Sequence, residues 1–307
     1  MGDIYLSPAF SRHAGKELDF LYSLDGATGF SLFWIDVVKP FLCAMKAKQL
    51  LEIGGDCGEH THLLLQYCDA FDAQLIVIEP FVKQDLQKII DNSGRISLME
   101  EKSQSGIPKV DTPIDAVFLE GDLNYHTTYG DLADIEQMAK RQQMPFPLVF
   151  FRSGWPYARR DMYYDPTNLP TAGILNYSRD GMSPWSSGLE AGMINYPYFN
   201  AKQEGGPRNG VLTAAEDFVK QSGLPLSIFS LPSNNGIGII YFKDSQVEEF
   251  IKTNFLPPPL LNCFLETIEL VRLNEIIRGL KHQQDNRNIL RRFVNKLGRV
   301  FRRLNIL

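Results

Sequence analysis

Leu50-Leu51-Glu52-Ile53-Gly54-Gly55-Asp56-Cys57-Gly58-Glu59 is the stretch on which the reading of this chain turns. An apolar run over 49–53 carries one acidic residue, then gives way to a glycine-rich turn and the start of an amphipathic segment. Glycines at 54 and 58 let the backbone turn sharply and approach a ligand, while the free amides opening the next helix face the same spot. The E-x-G-x-x-x-G spacing differs from the G-x-G-x-x-G of dinucleotide folds. Glu79 closes the next apolar run, 21 residues after Gly58, where a carboxylate can accept both hydroxyl protons of a ribose. Glu52, Gly54, Gly55, Gly58 and Glu79 are therefore the expected cofactor residues. A strand-turn-helix whose glycines serve only tight packing is the plainer alternative.

Working outward, apolar runs keep alternating with amphipathic stretches, the pattern of strands joined by helices in a parallel sheet. It predicts strands over 49–53, 74–79, 96–99, 114–119 and 147–151, and helices over 59–68, 82–91 and 127–141. Residues 152–209 follow, rich in Gly, Pro, Tyr, Trp and Asn and poor in periodicity. A loop that long is either functional or a sign of mistaken assignment. The functional reading is preferred because order resumes with a helix over 211–221 and strands over 226–231 and 237–242. Between those strands, Ser233-Asn234-Asn235-Gly236 tolerates positive φ and reads as a hairpin turn. A mostly parallel seven-stranded α/β sheet closed by one antiparallel hairpin resembles the Rossmann-like class I S-adenosylmethionine (SAM) methyltransferases, and the motif around Gly54 resembles their first motif. Pro257-Pro258-Pro259 marks a boundary, followed by helical stretches over 261–280 and 288–304. The expected organisation is a helical lead-in over 1–48, a SAM-binding domain over 49–256 with 152–209 as a substrate-side insertion, and a helical extension over 257–307.

Composition narrows the classes. A chain of 307 residues, 44% of them hydrophobic, can bury a sizeable core. A net charge of −5 argues against a general nucleic-acid binder, which needs a basic face for phosphates. Cys43, Cys57, Cys68 and Cys263 show neither zinc-ligand spacing nor a disulfide framework, so a reducing, cytoplasmic setting is expected. The N-terminal stretch lacks the pattern of a signal peptide, and no segment reaches the roughly 18 apolar residues of a membrane helix.

Three further blocks carry a family resemblance: IDAVFLEGDLNYHTTY at 114–129, FFRSGWPYARRDMYYDP at 150–166 and EGGPRNGVLTAAEDF at 204–218. They are similar to a bacterial methyltransferase family related to the macrocin O-methyltransferases and cephalosporin hydroxylases. The resemblance implies SAM as cofactor, with Glu120 beside it, and O-methylation of a saccharide or similar polar metabolite. It also exposes departures. The family's first Asp is Glu120 here, its His is Leu123, and its His-Asp pair after the fifth strand is Arg152-Ser153. In related enzymes those carboxylates bind Mg²⁺ and the His is a base. Glu120 and Asp122 alone make a poor Mg²⁺ site, so no metal is expected. His126 and Asp122 remain as candidate catalytic groups, against the plainer reading of His126 as a helix-start residue. A SAM-binding protein that has lost its acid-base set, with a scaffolding or regulatory role, is the alternative from another class.

Ligands in such sheets bind outside the carboxyl ends of the strands, which puts the insertion over the reacting group. Trp155, Tyr157, Arg159, Arg160, Tyr163 and Tyr164 are the expected substrate contacts, since aromatic faces and arginine forks suit a sugar ring or an anionic, phosphate-bearing acceptor. The alternative makes these aromatics the insertion's own core, with Arg160 paired to Asp161 or Asp165. In 288–304 an apolar stripe runs beside Arg291, Arg292, Lys296, Arg299, Arg302 and Arg303. That composition suits peripheral contact with an anionic leaflet at the inner face of the membrane, or packing on the domain or a second copy of the chain.

Overall fold

The structure is a computed structural model that describes residues 29–243, 245–255, 263 and 265–285. Its centre is a seven-stranded sheet: β1 Gln49–Ile53, β2 Gln74–Ile78, β3 Ile96–Met99, β4 Ala116–Leu119, β5 Leu148–Phe151, β6 Leu226–Leu231 and β7 Ile237–Phe242. The order across the sheet is β6-β7-β5-β4-β1-β2-β3. β1 through β5 pair parallel, while β7 runs antiparallel to both β5 and β6. This is the Rossmann-like arrangement that the alternating sequence pattern anticipates. The hairpin turn holds Asn234, Asn235 and Gly236 at positive φ, the conformation that Asn and Gly adopt at least cost.

Helices cover both faces, which is why the central strands are apolar at nearly every position. Leu50, Phe118 and Phe150 pack to one side with Trp34, Phe41 and Tyr67. Their strand neighbours Leu51, Val117 and Val149 pack to the other with Leu132, Ile135 and Phe218, as the two-residue period of a strand requires. The helices are α1 Lys39–Met45, α2 Glu59–Phe71, α3 Gln84–Asp91, α4 Tyr125–Arg141, α5 Val211–Gln221 and α6 Gln246–Asn254, with α7 over 265–285. α4 starts two residues before its predicted position because the Asn124 side chain accepts from Thr127 N–H at 2.8 Å and caps it there. α6 has no counterpart among the sequence expectations; Ser245 caps it through Glu248 N–H.

The insertion carries structure of its own. Met162–Tyr163, Phe199–Ala201 and Tyr177–Ser178 form a small sheet, and Gly181–Met182 pairs with Leu189–Glu190. Residues 1–28, and the basic stretch over 288–304, lie outside the described residues. The described part of the lead-in is a 3-10 turn Gly29–Phe33, a π turn Trp34–Val38 and α1. α7 packs through Leu273 and Ile277.

Candidate active site at the carboxyl ends of the sheet

Strand order reverses between β1 and β4, and there the chain opens the crevice in which sheets of this type place ligands. Gly54 has φ +90°, and a Cβ on it would stand 2.7 Å from the Glu120 backbone carbonyl. Behind Gly55 and Gly58 stand the side-chain ends of Leu86 and Ile89, and Gly58 also has φ +84°. Gly54 and Gly58 are thus required by the backbone conformation, before any ligand is considered. Beyond Gly58 the first bond of the α2 ladder is His62 N–H to Gly58 O, so the ladder leaves the earlier amides of the helix start to other partners.

Glu79 follows β2 at the opposite lip. Its carboxylate accepts from Asp56 N–H at 3.2 Å and Phe81 N–H at 2.8 Å. Each oxygen therefore keeps a lone pair, and the carboxylate bridges the turn after β1 to the turn after β2. Glu52 corrects the sequence reading. It is completely buried and holds His60 Nδ1 at 2.9 Å and the Thr61 hydroxyl at 2.6 Å. It locks α2 onto β1 from beneath, and any effect on a cofactor passes through that helix. His60, buried among Phe30, Trp34 and Phe118, belongs to the same support.

Glu120 and Arg152 end β4 and β5 and meet across the crevice floor, with Arg152 Nη2 2.9 Å from Glu120 Oε1. Gly29, at φ +65°, lies against them, so that a Cβ there would meet the Glu120 carboxylate and the Arg152 guanidinium. Arg152 Nε is buried with no hydrogen-bond partner among the described residues. Asp122 lies just beyond. Burial holds its carboxyl above the usual carboxylate range, with the charge of Lys102 and a hydrogen bond from Thr127 opposing. Burial, together with the carboxylates of Asp56 and Glu120, likewise raises Glu59. His126 is exposed and borders a recess with Gln104, Tyr125, Tyr129 and Asn168 to Pro170.

The six substrate candidates divide. Tyr164 stands 57% exposed, edge-on to Tyr198 at 6.0 Å, and the charges of Arg152, Asp56 and Asp122 all reach its hydroxyl. Trp155 is half-buried beside the hydrophobic core. Tyr157 and Tyr163 are buried, their hydroxyls donating to Asn200 and Asp161. Arg159 forms a two-pronged pair with Glu216 on α5. Arg160 is completely buried and donates to the carbonyls of Ala201 and Ser187, not to Asp161 or Asp165. These four correct the reading that made them substrate contacts: Tyr157, Tyr163 and Arg160 hold the insertion together, and Arg159 ties it to α5. In the sequence Arg152 stands out only as a departure from a family pattern, and its position after β5 is the signal that marks it.

Among the described residues no cluster of three or more His, Cys, Asp or Glu side chains is arranged to hold a metal ion, and no helix is long and apolar enough to cross a membrane. No family model matches the chain, and no curated protein does. Solved structures similar to it include the S-adenosylhomocysteine-bound methyltransferase PaMTH1 of Podospora anserina, 16% identical over 78% of this chain and 89% of that one, with a TM-score of 0.46. A candidate caffeoyl-CoA O-methyltransferase from Staphylococcus aureus is 13% identical over 76% and 92%, with a TM-score of 0.43. A candidate O-methyltransferase from Klebsiella pneumoniae is 15% identical over 78% and 91%, with a TM-score of 0.40.

Proposed function

We propose that this chain is a SAM-dependent methyltransferase that methylates a hydroxyl of a saccharide or similar polar metabolite without a metal ion. The observation that carries the cofactor assignment is the acidic turn between β1 and α2. A dinucleotide fold places a pyrophosphate there, but here Asp56, paired with Lys83, and Glu59 stand at that turn, and burial followed by the carboxylates of Asp56 and Glu120 raises Glu59. Such a site repels phosphate and favours a cation, which a sulfonium is. Glu79, with a lone pair left on each oxygen, fits a ribose diol.

SAM, when bound, supplies a methyl group on a sulfonium that leaves as a neutral thioether. The chain's own part is to hold the acceptor in line, which can account for much of the barrier reduction. Asp122, whose carboxyl lies above its ordinary range and so binds a proton more readily, takes the hydroxyl proton. The Glu120 carboxylate faces the Arg152 guanidinium, and that cation opposes a dication at the same place. Titration calorimetry with SAM, followed by methyl-release assays over nucleotide sugars and glycans, tests the reading. Binding weakens at least tenfold in Glu79→Ala. A change within about threefold, under about 0.7 kcal/mol, overturns the site, and tight binding without turnover favours the scaffolding alternative.

A further inference from the structure

Gly130 lies in the second turn of α4, well inside the helix. Its φ is not positive, and a Cβ built on it would meet nothing within 4 Å. Glycine inside a helix weakens it relative to alanine, because more backbone freedom is lost on folding. Neither backbone conformation nor a close neighbour accounts for this one. What the missing side chain leaves is space, and Gly130 lines a recess of about 270 Å³.

Three segments distant in sequence wall that recess. α4 brings Tyr125, His126 and Tyr129 beside Gly130, as the three- and four-residue spacing of one helix face requires. The turn after β3 brings Gln104, and the insertion brings Asn168, Leu169 and Pro170. Gly173 seats this part of the insertion on α4, so close that a Cβ there would stand 2.8 Å from the His126 ring.

The lining sets the chemistry of an occupant. The Tyr125 hydroxyl donates to Asp217 at 2.9 Å and the Tyr129 hydroxyl to Gln221 at 3.0 Å, both on α5. The two rings are nearly parallel, 5.8 Å apart. With their hydroxyls engaged on α5, they offer the recess ring surface, which aromatic partners favour beyond the area they cover. The remaining wall carries hydrogen-bonding groups. Gln104 and His126 are exposed, and each has a donor and an acceptor. Asn168 Nδ2 donates to Asp165 at 2.8 Å, which leaves the oxygen of that amide for another partner. Pockets for drug-sized ligands begin at about 300 Å³, so a space of this size suits one ring and not a whole nucleotide.

We propose that this recess binds a small planar ring, aromatic or heteroaromatic, whose face lies on Tyr125 and Tyr129 and whose polar edge meets Gln104, His126 and Asn168. Such a ligand touches the turn after β3, α4 and the insertion together, and so joins the insertion to the sheet. The site does not depend on the methyl-transfer reading.

The test uses the full chain and ligand-observed NMR with phenol, indole, nicotinamide and cytosine, and with cyclohexanol as a ring of similar size that is not planar. At least one planar ring binds, and cyclohexanol binds at least fivefold more weakly. Gly130→Leu places a side chain in the recess; it weakens the bound ring at least tenfold, leaves S-adenosylhomocysteine affinity within threefold and keeps the urea midpoint at or above that of the parent. Should that variant unfold more easily, Gln104→Ala, on the exposed rim, carries the test with an expected loss of at least threefold. Saturating S-adenosylhomocysteine leaves the ring bound. Absence of binding by all four planar rings, cyclohexanol binding equally well, or ring affinity unchanged in the variants overturns the proposal. So does displacement of the ring by S-adenosylhomocysteine, which would assign the recess to the cofactor.

Discussion

Arg152 donates to Glu120 over 2.9 Å, joining the ends of two neighbouring parallel strands at the floor of the crevice. Both side chains are largely buried, so each neutralises a charge that would otherwise be left in a poorly solvated place. The pair sets the electrostatics of the site: a fixed monovalent cation stands beside the carboxylate that ends β4.

A dication approaching Glu120 must displace that guanidinium or bear its repulsion, which grows as water is excluded. Turnover is therefore expected to survive EDTA unchanged. Loss of activity in the chelator, with restoration by Mg²⁺, would show that Glu120 and Asp122 serve as ligands after all.

Gly54 separates a packing role from a binding role. Its φ of +90° and the 2.7 Å approach to Glu120 leave no room for a methyl group, so Gly54→Ala should lower stability by about 1–3 kcal/mol even in ligand-free protein. Chemical unfolding of the two proteins without SAM measures this. Unchanged stability with impaired SAM binding would mean that the glycine serves the ligand only.

Asp161 is the rivet of the insertion. Buried, it accepts from Tyr125 N–H and Gly210 N–H at 2.8 and 2.7 Å and from the Tyr163 hydroxyl at 2.9 Å. It therefore ties the insertion to the start of α4 and to the approach to α5. Asp161→Ala leaves three donors without their acceptor and should cost about 3 kcal/mol or more. A loss below about 1 kcal/mol, read from urea unfolding, would refute that role.

The strands and hairpin were legible because their signals are local: apolar runs of the right length, and Asn-Asn-Gly where positive φ is needed. The loops after β1, β2, β4 and β5 were legible as the ones that the topology gathers at one edge of the sheet. What sequence could not supply was side-chain direction within the loop after β5. Arg152, Arg159 and Arg160 look alike as residue types, yet one faces the crevice, one a helix and one the interior. Glu52 misled for the same reason, since a conspicuous acid before a glycine turn can as well serve the helix beneath it as the ligand above. α6, with the strongly apolar Ile251 amid charged neighbours, gave too short a pattern to stand out.

The basic stretch over 288–304 is testable without its structure. Its apolar stripe beside seven basic residues over 287–303, with no acidic residue after Asp285, predicts salt-sensitive binding to anionic vesicles, each basic residue near the surface contributing about 1 kcal/mol. In co-sedimentation the full chain should pellet with phosphatidylserine vesicles at low salt and a chain ending at Asp285 should not. Equal behaviour of the two assigns the stretch to packing.

Asp131 gives the pH dependence its clearest handle. It sits on α4, almost wholly buried, with Oδ1 lacking any hydrogen-bond partner among the described residues. Burial raises its carboxyl to about 8, with Asp134 and Asp122 adding to the rise and a hydrogen bond with Ser103 opposing it. In the unfolded chain the group titrates near 3.9. The folded state thus holds a proton that the unfolded state has released, and the stability this contributes is complete below about pH 4 and lost as pH rises toward 8. Within that window each pH unit removes up to about 1.4 kcal/mol. Asp131→Asn keeps the shape and removes the titration, so the variant and parent should have similar urea midpoints near pH 4, with the variant increasingly the more stable by pH 8. Parallel midpoint curves for the two proteins from pH 4 to 8 would show that Asp131 does not carry its proton in the fold.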